Sequence, residues 1–173
     1  MMRAQRLLLF GLLILSCLLF ETTIWFTWVG FIPSPHLWTP VLVYLIINRE
    51  NPKRLGWLAT FYLLLLTCTV ALPLQTLLSL CGTLVIIRFV QTNFSTLSIF
   101  DLVLFSSGAM FTFPLLYSLM DFMITSEFHF DWLFHTLSLL ISFPLIPGIL
   151  LLCRKIDTSF SPRHTYDNLV LDL

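Results

Sequence analysis

The sequence predicts an all-α integral membrane protein with six transmembrane helices, the second one short, and both termini in the cytoplasm. Three observations carry that expectation. Of the 173 residues, 58% are hydrophobic and 10% charged, whereas about a quarter of a soluble domain is charged. At a mean hydropathy of +0.94 there are too few polar residues to cover a globule in water, so the outer surface must face lipid. Cutting the chain at charges, proline pairs and polar clusters leaves six apolar segments, and the basic residues fall in alternate connections, as cytoplasmic loops require.

The first span covers about residues 7–31 and carries Glu21 within it. Basic Arg3 and Arg6 ahead of an apolar stretch resemble a leader peptide, but apolar residues continue past Cys17 through Trp25, Trp28 and Phe31, which suits an uncleaved span. The second segment, 36–48, lies between Pro33-Ser34-Pro35 and the polar stretch 49–54. Its length is about half what a bilayer needs, so a short or partly re-entrant helix is expected, with Pro40 near its start, where proline costs least. The third span, 55–72, stops at Pro73, and the fourth, 74–90, follows at once as a tight hairpin. The fifth and sixth, 99–124 and 130–153, contain Pro114 and the pair Pro144 and Pro147, whose freed carbonyls neighbouring helices must satisfy. Residues 1–155 thus form the membrane domain, and 156–173 a mobile cytoplasmic tail.

Orientation follows from charge. Arg3, Arg6, Arg49, Lys53, Arg54, Arg88, Arg154, Lys155 and Arg163 all come to one side of a six-span layout, while the connections 32–35, at Pro73 and 125–131 hold no Lys or Arg. A five-span version would scatter them. Nine basic residues balance nine acidic ones, which argues against a nucleic-acid partner, since phosphate binding needs a basic excess.

Charges within spans are expensive and are the first candidates for function. Glu21 is the deep one: either part of a polar pocket or protein contact, or an acid reaching the outer headgroups beside Thr22 and Thr23. Asp121 lies near the outer end of span five, Asp101 at its inner start, and Arg88 near the inner end of span four. An ion pair between Arg88 and Asp101 would close that hairpin, with snorkelling of Arg88 the default. Asp121, His129, Asp131 and His135 gather around the last outer connection, but their spacing supplies no metal ligand set. Cys17, Cys68, Cys81 and Cys153 lie in apolar runs without a CxxC pair, supporting neither disulfides nor zinc. Trp25, Trp28, Trp38, Trp57 and Trp132 fall near span ends, as an interfacial belt would. The small residues 106–109 are the best candidate for close helix contact, more simply within the chain than with a partner. Hydrolase and nucleotide-binding signatures are absent, and nothing calls for a cofactor.

Pro33-Ser34-Pro35-His36-Leu37, Val41-Leu42-Val43-Tyr44-Leu45, then Arg49 and the stretch 52–56 ending in Gly56, with Arg154-Lys155 closing the last span, resemble the rod-shape-determining protein MreD family. Between spans three and four the chain departs from that family's pattern of an Asp and a Ser-Gly turn, having Leu72-Pro73-Leu74-Gln75 there. The resemblance implies a small six-span protein of the bacterial inner membrane with a non-enzymatic role. It would act as a subunit of the cell-wall elongation machinery that binds an MreC-type protein and, through it, the cell-wall synthase complex and an actin-like filament. Carried over from the matching stretch, Pro33, Pro35, Tyr44, Arg49 and Arg54 would be the partner-binding residues. The alternative is a substrate-binding membrane subunit of an energy-coupling small-molecule transporter, also six-spanned at this length, in which Glu21, Trp25, Asp121 and His135 would line an outward-facing pocket. An assembly factor without a ligand is a third possibility.

Overall fold

A computed structural model describes residues 2–29, 32–48, 51–68, 72–92, 98–126, 128 and 130–160. Among them the protein is all helix and turn, without a strand. Helix α1 (Met2–Leu19) runs into a π-helical turn (Phe20–Trp25) and a last α turn, α2 (Phe26–Trp28); then come α3 (Trp38–Asn48), α4 (Asn51–Cys68), α5 (Pro73–Thr92), α6 (Ile99–Thr125), α7 (Trp132–Ser142) and α8 (Ile146–Phe160). Three helices are long and apolar enough to cross a membrane: Leu8–Trp28, α5 and α6. A fourth span results if α7 and α8, bent by 53° at their junction, count as one, and Trp38–Ile47 and Gly56–Leu66 are shorter apolar helices. The chain is a helical membrane protein.

Local sequence explains the helix ends. Pro73 opens α5 at the position where its missing N–H costs nothing. Ser98 caps α6 through a capping box: its hydroxyl accepts from the Asp101 backbone N–H at 3.2 Å, while the Asp101 carboxylate accepts from the Ser98 N–H at 2.7 Å. That carboxylate also accepts the Ser98 hydroxyl at 2.9 Å, so Asp101 is engaged in hydrogen bonds with its own cap. Helix α6 ends at Ser126 in the left-handed region, φ 60°. Pro114 sits inside α6 without breaking it, whereas at Pro144 the chain turns.

The core is organised around α3. Every residue from Val41 to Ile47 is buried, and the helix is wrapped by Phe10, Ile14 and Leu18 of α1, Trp57, Phe61 and Leu65 of α4, Leu102, Phe105 and Ala109 of α6, and Ile146, Leu150 and Cys153 of α8. Each set follows the three- and four-residue spacing that keeps side chains on one helix face. At 11 residues α3 is about 16 Å long, half the thickness of a hydrocarbon core. It tolerates that length because protein, not lipid, surrounds it. The expected belt is corrected accordingly: Trp38 and Trp57 are core residues, 3% and 6% exposed, with Trp38 edge-on to Phe113 and Trp57 edge-on to Phe10, while Trp28 and Trp132 are exposed.

Ahead of α3 the chain is non-helical over 33–36, with Pro33 and Pro35 buried and the Leu37 N–H donating back to the Pro35 carbonyl at 2.9 Å. Non-helical backbone inside a membrane protein needs partners for its polar groups. Two serines one turn apart on α7 provide them: the Ser138 hydroxyl donates to the Ser34 carbonyl at 2.5 Å and the His36 N–H donates to the Ser142 hydroxyl at 3.2 Å, Ser142 donating in turn to the Ser138 carbonyl. Both serines are buried, at 1% and 0% exposure. Ser138→Ala leaves the Ser34 carbonyl without that donor and is expected to cost about 1–3 kcal/mol. Denaturation by sodium dodecyl sulfate, followed by tryptophan fluorescence, measures it; Thr136→Ala on the exposed side of α7 should change little.

Small residues bring α5 and α6 together. Ser79, Thr83, Ser106 and Ala109 are all buried, and a Cβ on Gly82 would meet Leu116 Cδ1 at 2.7 Å. The small cluster of span five therefore serves packing within the chain through Ser106 and Ala109, with Gly108 facing outward. Helix α8 runs past residue 155 to Phe160, so the beginning of the expected tail is helical. Asp157 within it is buried and accepts the Tyr44 hydroxyl at 2.9 Å.

Candidate functional site

The polar centre of the molecule assembles from the π-helical turn, the non-helical segment 33–36, α6 and α7. Glu21 stands in the π-helical turn of the first span; such turns inside α-helices are frequent at functional sites. Its Oε1 lies 2.6 Å from His36 Nδ1, within hydrogen-bond distance, and accepts a longer bond from the Ser34 hydroxyl at 3.4 Å. The two side chains are 13% and 22% exposed, so this is a half-buried acid–imidazole pair, each holding the other in place.

The pair meets because the non-helical segment 33–36 is held against α7 by Ser138 and Ser142. Pro33 and Pro35 keep that segment out of a helix, each proline pushing the residue before it out of the α region. The Leu37 N–H then turns back on the Pro35 carbonyl at 2.9 Å, and His36, at the centre of that turn, reaches Glu21.

Beside the pair is a cavity of about 270 Å³, close to the lower end of small-molecule pockets. Glu21, His36, His135 and Tyr117 are the titratable residues in its lining, and Trp38, Phe113, Tyr117 and Phe134 supply its aromatic rings. Those rings are held against one another: Trp38 and Phe113 meet edge to face at 5.2 Å between centroids, and Phe113 and Tyr117 lie 6.5 Å apart. His135 stacks on Phe130 at 4.6 Å. Two polar atoms in the wall, Glu21 Oε2 and His135 Nδ1, are buried without a hydrogen-bond partner among the described residues. Such orphans are rare and call for an explanation.

Other predicted residues are placed elsewhere. Asp121 pairs with Gln75 of α5, whose Nε2 donates to its Oδ1 at 3.1 Å, and Asp131 caps α7 by accepting from the Phe134 N–H at 3.0 Å. Trp25 donates through Nε1 to the Ile32 carbonyl at 3.0 Å, tying the end of the first span to the loop. Of the four residues expected to line a transporter pocket, then, Glu21 and His135 share the cavity, while Trp25 and Asp121 lie outside it. Pro33, Pro35 and Tyr44 are buried, and Arg88 is half-buried near the end of α5. Arg54 is in the first turn of α4; Arg49, Glu127 and His129 lie outside the described residues.

His36 was legible as part of the proline stretch but not as a partner of Glu21. Helical spacing alone puts the two at different depths, and the signal for their meeting was the Pro-x-Pro pattern immediately before the histidine. Comparison with protein families, with curated proteins and with solved structures finds no match for this chain.

Proposed function

We propose that this protein is a non-enzymatic, six-pass subunit of the bacterial cell-wall elongation machinery in the inner membrane, acting by binding an MreC-type membrane protein. The six passes are the first span with its π turn, the non-helical segment 33–36 joined to α3, then α4, α5, α6 and the bent pair α7 and α8. Both termini are cytoplasmic, which gathers the basic residues on one side. The observation that carries the reading is the stretch 33–48: the residues that resemble the MreD family are those around which the other helices pack. A scaffold of that design presents lipid and partner spans with apolar outer faces, such as Val85, Ile86 and Phe89 of α5 and Phe100 and Leu104 of α6.

In that role Pro33, Pro35 and Tyr44 hold the shape of the partner-binding surface from inside rather than touching the partner, and Arg49 and Arg54 mark the cytoplasmic turn. Two measurements test the proposal. Reporter fusions near residues 51 and 127 should be accessible from opposite compartments, and equal accessibility from one side would defeat the topology. Affinity purification from detergent-solubilised membranes of the native bacterium should recover an MreC-type partner, and depletion should turn rods into spheres; normal shape with no such partner would reject the role.

A further inference from the structure

We propose that the cavity beside Glu21 is a binding site for an organic ammonium group, recognised by Glu21 and His135 against the ring wall of Trp38, Phe113 and Tyr117. Its chemistry selects the ligand. Oε1 of Glu21 is already engaged by His36, which leaves Oε2 as a buried acceptor with nothing to accept. His135 Nδ1, in the tautomer that carries its proton on Nε2, is a second acceptor in the same wall. Both residues line the same cavity, and two unsatisfied acceptors in one lining suit a group with at least two N–H donors.

Charge narrows the choice. Among the described residues no Lys or Arg lines the cavity, and Glu21 is its carboxylate. An anion there would face a carboxylate in a low-dielectric setting, whereas a cation is attracted to it. The aromatic wall adds to the preference, because ring faces attract ammonium groups. Leu18, Leu65 and Pro114, with Thr76 and Ser118 beside them, are also in the lining, and the apolar ones suit the hydrocarbon attached to the nitrogen. Neutral alcohols match this set less well: a hydroxyl offers a single donor to two acceptors and gains nothing from the carboxylate's charge.

The same ammonium chemistry is available from a phosphatidylethanolamine headgroup or from a free amine, and the site is argued independently of the elongation role. The full-length protein in detergent micelles is titrated with phenethylammonium and, separately, with the neutral isostere 2-phenylethanol, with melting temperature and quenching of Trp38 as readouts. The amine should raise the melting temperature and bind at least tenfold more tightly than the alcohol, and Glu21→Gln and His135→Phe should each weaken it at least tenfold. Melting curves without amine report whether each variant folds. If Glu21→Gln does not, His135→Phe decides, since a phenyl ring keeps the stack on Phe130 and removes the nitrogens.

Mass spectrometry of protein extracted from mixed phosphatidylethanolamine and phosphatidylglycerol vesicles separates the sources. Retention of phosphatidylethanolamine by the wild type and its loss in the variants assigns the headgroup, while amine binding without that retention assigns a free amine. Equal affinity for amine and alcohol, unchanged affinity in every folded variant, or binding of neither amine nor phosphatidylethanolamine would overturn the site.

Discussion

Replacing His36 with leucine should destabilise the folded protein by about 3–5 kcal/mol, the range found when one partner of a buried pair is removed and the other is left uncompensated. The exposure of the two side chains, 13% and 22%, puts the expected value at the low end, about 3 kcal/mol, since solvent screens part of the interaction. The double variant Glu21→Leu with His36→Leu should recover most of the loss, because replacing both members of such a pair by apolar groups is often neutral. A double-mutant cycle on the dodecyl sulfate unfolding curves gives the coupling energy. A double variant as unstable as the sum of the singles would mean that the pair contributes no coupling and that His36 is needed for shape alone.

Phe61→Ala is expected to cost about 2 kcal/mol, less than the ~3–5 kcal/mol of a comparable change in a soluble core. Phe61 is fully buried and packs its ring 6.0 Å from that of Trp38. In water, truncation loses both the transfer free energy of the ring and the packing around the space it leaves. Here the reference state is itself in lipid or detergent, where tails are as apolar as the core, so the transfer part largely cancels. The cavity part, about 24 cal/mol per Å³, remains. Because Trp38 also walls the ligand cavity, its fluorescence should shift in this variant. A cost above about 4 kcal/mol would indicate that the unfolded reference exposes its core to water, contrary to the membrane assignment.

Much of the architecture was readable from residues. The fourth and fifth expected spans, 74–90 and 99–124, correspond to α5 (Pro73–Thr92) and α6 (Ile99–Thr125) because their ends are written in local chemistry: Pro73, and the Ser98 and Asp101 cap. The sixth expected span was legible as a segment, but its two prolines were not legible as a 53° bend. Pro114 lies likewise between Phe and Leu without producing one, and the bent span differs in carrying a second proline, Pro147, three residues on. Among site residues, Glu21 stood out because a carboxylate in an apolar run is costly, and His135 because it borders the last connection. Their joining through His36 and a shared cavity left no trace in spacing.

The amino-acid sequence by itself settled the solvent of this protein, its helical class and most of its helix ends, since these depend on composition and on contacts within a few residues. Tertiary structure decided which face of each helix is inside, that the short helix α3 is the hub, and that two serines on α7 satisfy the non-helical backbone ahead of it. The physical reason is the bilayer. With apolar surroundings on both sides of a helix, the contrast that labels the inner face of a soluble helix disappears, and small residues, isolated hydroxyls and one acid must find their partners in space.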